Sequence, residues 1–268
     1  FFRDEVRNGF FIPTAVKQAW AAQLQVLDVI ETICRKHDIT YFADWGTILG
    51  TVRHGGYVPW DDDMDICMKR EDYTRFKEAA KTELPKDFRI HDYEHQEDHW
   101  LFLSRVANSV HINFEPEHMK QFHNFPYIAG IDIFVLDYLY KDEQQEKQRC
   151  EEVKHIIAVA DSIIAGEIAQ PVKEANLIQL EEKYHKTFNR KLDNRHIGIE
   201  LYRLAEEQMA RVPKEESDRM AQIFPWGLLG NRGQDREYYE KFVRLPFENT
   251  TMPVPADYHR ILSGKYQI

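Results

Sequence analysis

An α/β fold is predicted, with strands and helices mixed over residues 1–140 and a mostly helical region with a C-terminal tail over residues 141–268. Three observations carry this. Met64–Met68 and Ile131–Leu136 are short apolar runs with the two-residue alternation of strands. Residues 14–36 and 71–84 place apolar side chains at three- and four-residue spacing, the period of helices. From Glu143 to Arg211 the helical period alone recurs.

Pro13-Thr14 opens the first helix, with Thr14 expected as its N-cap. Ala19, Trp20, Gln23, Leu24, Leu27, Ile30 and Cys34 then share a face up to about Lys36. Tyr41–Asp44 reads as a short strand. Gly46–Arg53 reads as a short helix entered through glycine and stopped by His54-Gly55-Gly56. After the strand at Met64–Met68, Glu71–Leu84 is a helix with Tyr73, Phe76 and Ala80 on one face. Strands are expected at Phe88–Asp92, Trp100–Val106 and Ile131–Leu136, with an aromatic-rich loop between the last two. Helices follow over Glu143–Ala165, Glu174–Arg190 and Arg195–Arg211. Beyond Pro213 an irregular tail is expected, because Pro225, Pro246, Pro253 and Pro255 interrupt it, before a short helix near Tyr258–Leu262.

Composition narrows the function. The 268 residues are 43% hydrophobic and 30% charged, enough apolar mass for one or two globular domains. The formal net charge is -10 and no dense Lys/Arg cluster occurs, so nucleic acid is not an expected partner. No run approaches the about 18 apolar residues of a membrane span, and FFRDEVRNGFF lacks the design of a signal peptide. Cys34, Cys67 and Cys150 offer no CxxC pair, which fits neither a disulfide framework nor a zinc knuckle; a reducing, cytoplasmic setting is expected.

The segment PWDDDMD, residues 59–65, sets four carboxylates within five positions. Like charges about 4 Å apart repel by roughly 4 kcal/mol at an effective dielectric of 20, so the cluster calls for a counter-charge. Acidic runs are ordinarily solvated loops, but this one leads directly into a strand pattern. As an EF-hand it fails: Ile66 stands where the loop needs Gly, and Asp72 where it needs a bidentate Glu. As a strand, it puts Asp63 and Asp65 on one face, opposite Met64, Ile66 and Met68, with Asp62 directed away from the pair. Carboxylates about 7 Å apart on one strand face can hold hard cations, and magnesium shares such oxygen ligands with substrate phosphates. Phosphate donors are at hand in Trp45-Gly46-Thr47, where Gly46 permits close backbone approach and Thr47 adds a hydroxyl at a helix start. Arg53 offers a bidentate fork, and Asp132 a further carboxylate opposite in face to Ile131, Ile133 and Val135. Each has a plainer reading: Gly46 as a turn residue, Arg53 as a surface ion-pair partner, Asp44 as the cap of the short helix. His91, His95 and His99 form a zinc candidate of low specificity in a polar, turn-rich stretch.

Taken as an ordered set, YFADWGTILGTVRHGGYVPWDDDMDICM closely resembles the signature of the LicD family of phosphocholine-type transferases, which animal fukutin-related proteins share. GIDIFVLDY continues the likeness, and FVRLPFENTTMPVPADYHRIL does so more faintly, while residues 140–240 contribute little. The resemblance implies a nucleotidyltransferase fold like the palm of polymerase β-type enzymes, with a mixed sheet carrying metal-binding carboxylates. It implies transfer of a phospho-alcohol, commonly phosphocholine from CDP-choline, to a hydroxyl of a surface glycan such as teichoic acid or lipopolysaccharide, with release of CMP. Other members resemble enzymes that use CDP-ribitol. On this chain Gly46-Thr47 matches the glycine–hydroxyl element, Asp63 and Asp65 the paired metal ligands, Asp61 an additional acidic position and Asp132 the third carboxylate. The implied cofactor is Mg2+, or Mn2+, on Asp63, Asp65 and Asp132. Arg53 and the Gly46-Thr47 amides would neutralise charge as CMP leaves, and Asp132 or Asp61 would take the hydroxyl proton. A choline headgroup would rest on aromatic faces, for which Trp45, Trp60, Trp100, Phe125, Tyr127 and Trp226 are candidates. One departure is visible: family members often close this region with Tyr-Gly, and here Tyr266 precedes Gln267. Two alternatives stay open, a nucleotidyltransferase that modifies a small molecule from a nucleoside triphosphate and a non-catalytic metal- or glycan-binding module.

Overall fold

The computed structural model describes residues 1–95 and 101–266, and the chain divides into one unit of residues 1–136 with 234–268 and another of residues 137–233. The first unit opens with a hairpin, β1 (Glu5–Arg7) against β2 (Phe10–Ile12), whose three-residue strands are too short to show a period in the sequence. The long helix α1 (Thr14–Lys36) follows. Thr14 is not its N-cap. Pro13 holds that position, and Asp4, just ahead of β1, accepts the Thr14 N–H at 2.7 Å and its hydroxyl at 2.9 Å. A carboxylate from outside the helix thus satisfies a first-turn donor that a cap residue would otherwise take.

The core of this unit then runs β3 (Phe42–Ala43), α2 (Trp45–His54), β4 (Asp65–Lys69), α3 (Arg70–Glu83), β5 (Arg89–His91), β6 (Ser104–Ala107), α4 (Pro116–Gln121) and β7 (Gly130–Tyr138). Gly55, at φ 62°, closes α2 as the glycine signal predicts. The strands lie in the order β3-β4-β7-β6-β5. β4 and β7 are parallel and the other pairs antiparallel, so the sheet is mixed, as expected. Ile131, Ile133 and Val135 are buried while Asp132 and Phe134 on the other face remain partly open, the alternation read from the sequence. Residues 96–100, including His99 and Trp100, lie outside the described residues, and the strand expected over Trp100–Val106 is found at Ser104–Ala107.

The second unit is helical for most of its length: α5 (Glu143–Ile164), α6 (Gln170–Tyr184) and α7 (Asn194–Met209), then the short strand β8 (Arg219–Ala221). Asp142 caps α5 and Asp193 caps α7, each carboxylate accepting a first-turn N–H. The helix expected over 174–190 begins and ends earlier, because Pro171 suits its first turn and His185, at φ 52°, leaves the helical region. Arg149, fully buried on α5, donates to the carbonyls of Tyr138 and Met209, both at 2.9 Å. β8 pairs with the last two residues of β7 through Asp137↔Ala221 and Tyr138↔Met220.

The tail returns to the first unit with β9 (Gln234–Asp235), β10 (Phe242–Phe247), β11 (Thr250–Pro255) and α8 (Tyr258–Tyr266). The expected irregular stretch is therefore corrected to an antiparallel hairpin in full register from Phe242↔Pro255 to Phe247↔Thr250. Proline is compatible with such a two-stranded ribbon because both strands keep a free edge where no N–H is needed. Among the described residues no helix is long and apolar enough to cross a membrane.

Candidate active site

The parallel register of β4 and β7 sets Asp65 opposite Asp132. The start of β4 is fastened to α2: Asp65 donates its N–H to Thr47 Oγ1 at 2.8 Å, and its carbonyl accepts the Asp44 N–H at 3.0 Å. Thr47 is buried, so its hydroxyl serves the strand rather than open solvent. Asp44 caps α2 as expected, accepting the Trp45 N–H at 2.9 Å. Trp45 itself has φ 40°, a left-handed conformation that a bulky residue adopts at a cost.

Residues 61–64 precede the strand, which begins only at Asp65. Their backbone is gripped from α1, where Trp20 Nε1 donates to the Asp61 carbonyl at 2.9 Å and Gln23 Nε2 to the Asp62 carbonyl at 2.8 Å. The Asp61 carboxylate lies over Gly46, and a Cβ there would stand 2.1 Å from Asp61 Oδ2. Carboxylate oxygens of Asp61, Asp62 and Asp63 come within 4.8 Å of one another. This corrects the expectation that Asp62 turns away, which presumed strand alternation where there is a loop. The expected trio of Asp63, Asp65 and Asp132 is not the tight set. Asp65 and Asp132 flank a group formed by Asp61, Asp62 and Asp63.

Among the described residues, Arg105 and Lys265 answer this charge. Arg105 forks Asp132, Nε to Oδ1 at 2.6 Å and NH2 to Oδ2 at 2.7 Å. Lys265 of α8 pairs with Asp44, and its Nζ stands 4.1 Å from the centroid of the Trp45 ring. They do not neutralise the pocket. Burial, then the charges of Asp63, Asp132, Asp44 and Asp61, push the Asp65 carboxyl up to about 8. Burial and Asp63 push Asp61 up to about 6. The Tyr266 hydroxyl is raised to about 12 by burial and by Asp44, Asp61 and Asp65. Crowded oxygen donors with charge to spare fit a hard divalent cation such as magnesium or manganese.

Arg53 is exposed in the last turn of α2, six residues beyond Thr47 and so about 9 Å further along the axis. Phosphate is expected at the N-terminus of that helix, and the structure does not bring Arg53 there. Of the zinc candidates, His99 lies outside the described residues. His95 groups with Asp92 and Glu94, but Lys77 sits 3.1 Å from Asp92 and 3.5 Å from Glu94, an ion-pair network. Trp20, Gln23, Arg105 and Lys265 escaped the sequence reading. Arg105 had a signal, since it precedes Val106 on a strand and alternates with it. Lys265 had none.

Residues 38–158, which contain α2, the acidic loop, Arg105 and β7, match the family described as LicD/FKTN/FKRP, nucleotidyltransferase domain. This stretch is similar to the LicD family. Over 53 residues, 20% of each chain, it is 43% identical to the lipopolysaccharide cholinephosphotransferase LicD of Haemophilus influenzae. It is 39% identical over 54 residues to an uncharacterized protein of Rickettsia typhi, covering 20% of this chain and 18% of that one. A Rickettsia prowazekii protein, also uncharacterized, is 42% identical over 48 residues, 18% of each chain. The alignments thus span about a fifth of the length of these relatives. Trp20 and Lys265, which hold the acidic loop and the start of α2, lie outside the matched residues on either side.

Proposed function

We propose that this chain transfers a phospho-alcohol, phosphocholine from CDP-choline foremost, to a hydroxyl of a surface glycan of the lipopolysaccharide or teichoic acid type, releasing CMP. One observation carries the reading: a stretch similar to the LicD family, whose acidic loop, β4 and β7 converge at the N-terminus of a helix. The name of the Haemophilus influenzae relative supports phosphocholine as cargo and lipopolysaccharide as acceptor. Asp61, Asp63 and Asp65, with Asp132, are the residues that would hold magnesium or manganese. Such an ion, when bound, neutralises the donor diphosphate and stabilises the charge that develops on transfer.

The chain's own groups do the rest. First-turn N–H groups of α2 at Gly46 and Thr47 face anionic oxygens with the positive end of the helix dipole behind them. In the reaction the acceptor oxygen bonds to the choline-bearing phosphorus, the bond from that phosphorus to the bridging oxygen breaks, and its electron pair leaves on CMP. The hydroxyl proton passes to the Asp61 carboxylate, through the oxygen not turned to the cation. Exposed Trp60 and the Phe125–Tyr127 pair remain aromatic faces for the quaternary ammonium, while Trp45 already carries the Lys265 ammonium.

The test incubates the protein and Mg2+ with CDP-choline, CDP-ribitol, CDP-glycerol or CTP, with and without lipopolysaccharide or teichoic acid, and identifies products by mass spectrometry. CMP together with a modified glycan is expected. Pyrophosphate from CTP would favour a nucleotidyltransferase, and no turnover with any donor would leave a binding module.

A further inference from the structure

Arg105 is seated in the acidic pocket by more than attraction. On β6 it stands directly opposite Asp132 of β7. Its aliphatic stem crosses Gly130, which shares a strand face with Asp132: a Cβ there would stand 2.8 Å from Arg105 Cδ and 2.9 Å from Cγ. Only a residue without a side chain leaves this channel open. The fork takes one lone pair on each oxygen of Asp132 and covers the side from which both oxygens together could grip a cation. Yet the two partners are not equally fixed. The Arg105 side chain is 52% exposed and that of Asp132 is 18% exposed, so the guanidinium can leave and the carboxylate cannot follow.

We propose that Arg105 and a divalent cation exchange on Asp132, and that the displaced guanidinium takes a phosphate group of the donor. The proposal rests on the metal-dependent reading above. In the metal-free protein the guanidinium supplies the counter-charge that Asp132, Asp65 and Asp63 require. A cation bound by these carboxylates replaces it. The released planar group, with its five donors, remains tethered beside the metal, where a bidentate grip on phosphate is its strongest available interaction. Arg105 then performs the task that spacing alone suggested for Arg53.

Mn2+ titration followed by electron paramagnetic resonance, without donor, separates the outcomes. Arg105→Met should bind Mn2+ at least about 10-fold more tightly than the natural chain, equivalent to about 1.4 kcal/mol. Arg105→Lys keeps the charge and loses the fork, and should retain part of that gain. With Mn2+ bound, inorganic pyrophosphate should bind at least about 10-fold more weakly to Arg105→Met. Unchanged or weaker Mn2+ affinity in a folded Arg105→Met variant overturns the exchange and makes Arg105 a fixed orienting partner. If that variant does not fold, Arg105→Lys with natural Mn2+ affinity overturns it. Where both variants fold, tightening confined to Arg105→Met also overturns it, because that would be a through-space charge effect. Unaltered pyrophosphate affinity overturns the phosphate-binding step. Asp132→Asn distinguishes the levels. Undiminished Mn2+ binding there removes the metal reading at this carboxylate and the exchange with it, whereas loss beside an unaffected Arg105→Met removes the exchange alone.

Discussion

Asp61 Oδ2 occupies the space a Cβ on Gly46 would need, so the first turn of α2 and the acidic loop fit only because residue 46 lacks a side chain. Gly46→Ala should displace the Asp61 carboxylate and lower Mn2+ affinity about 10-fold. Its effect on stability should stay within about 1 kcal/mol, because the helix gains roughly that much from replacing Gly by Ala. Calorimetric metal titration beside urea unfolding checks this, and unaltered metal affinity would return Gly46 to a backbone role. Asp63→Asn and Asp65→Asn should each cost at least about 100-fold in turnover, roughly 2.7 kcal/mol. Neither should lower metal-free stability, since each removes repulsion. Asp62→Asn should also weaken metal binding, though less, because the loop places its carboxylate with those of Asp61 and Asp63. Full activity with Asp63 or Asp65 replaced would make the cluster structural.

α8 reaches the site through Lys265 and Tyr266. Lys265, with 12% of its side chain exposed, meets Asp44 at 3%, and Asp44 caps the helix on which Gly46 and Thr47 sit. Removing one partner of a buried pair costs about 3–5 kcal/mol, so Lys265→Met should destabilise the chain by about 3 kcal/mol and loosen the start of α2. Lys265→Arg should restore part of this. Denaturant unfolding measures the loss, and hydrogen exchange at residues 45–48 shows whether α2 opens first; equal protection in Lys265→Met would leave Lys265 a remote surface group. This contact marks where legibility in the sequence ended. Elements built by local rules were readable: α2 between its Asp44 cap and Gly55, and β4 and β7 from their alternation. Asp65 and Asp132 were legible because each interrupts an apolar run on a defined face. Asp62 was misread because residues 61–64 are irregular loop, and the strand alternation holds only from Asp65. Hairpin β10–β11 was hidden by Pro246, Pro253 and Pro255, although Leu245 and Phe247 alternate with Arg244 and Pro246. Asp4 in place of Thr14, Trp20 on Asp61 and Lys265 on Asp44 depend on segments brought together only by folding, which no local pattern encodes.

At the scale of the whole molecule, the acidic pocket should set how stability depends on pH. In the folded chain Asp65 titrates at about 8 and Asp61 at about 6, both above the ordinary carboxylate value near 3.9. From pH 8 downward the folded state therefore binds protons that the unfolded state does not. The difference in bound protons, unfolded minus folded, is negative, so metal-free stability falls as pH rises through this window. His54 and His118 act in the opposite sense below their ordinary value near 6.5, because burial favours their neutral forms and the unfolded chain takes up the proton first. The metal-free melting temperature should therefore rise from pH 8.5 to about 6.5 and then level or fall. A divalent cation requires the deprotonated carboxylates, so its stabilisation, about 2.7 kcal/mol at a hundredfold excess over Kd, should be greatest at high pH and should flatten or reverse the slope. Asp65→Asn should abolish most of the metal-free slope and most of the metal's effect together. Thermal melts at pH 6.5 and 8.5, with EDTA and with Mn2+, decide the matter. A metal-free melting temperature that climbs with pH, or an Asp65→Asn slope equal to that of the natural chain, would mean that these carboxylates are not the uncompensated charges that draw a cation to this site.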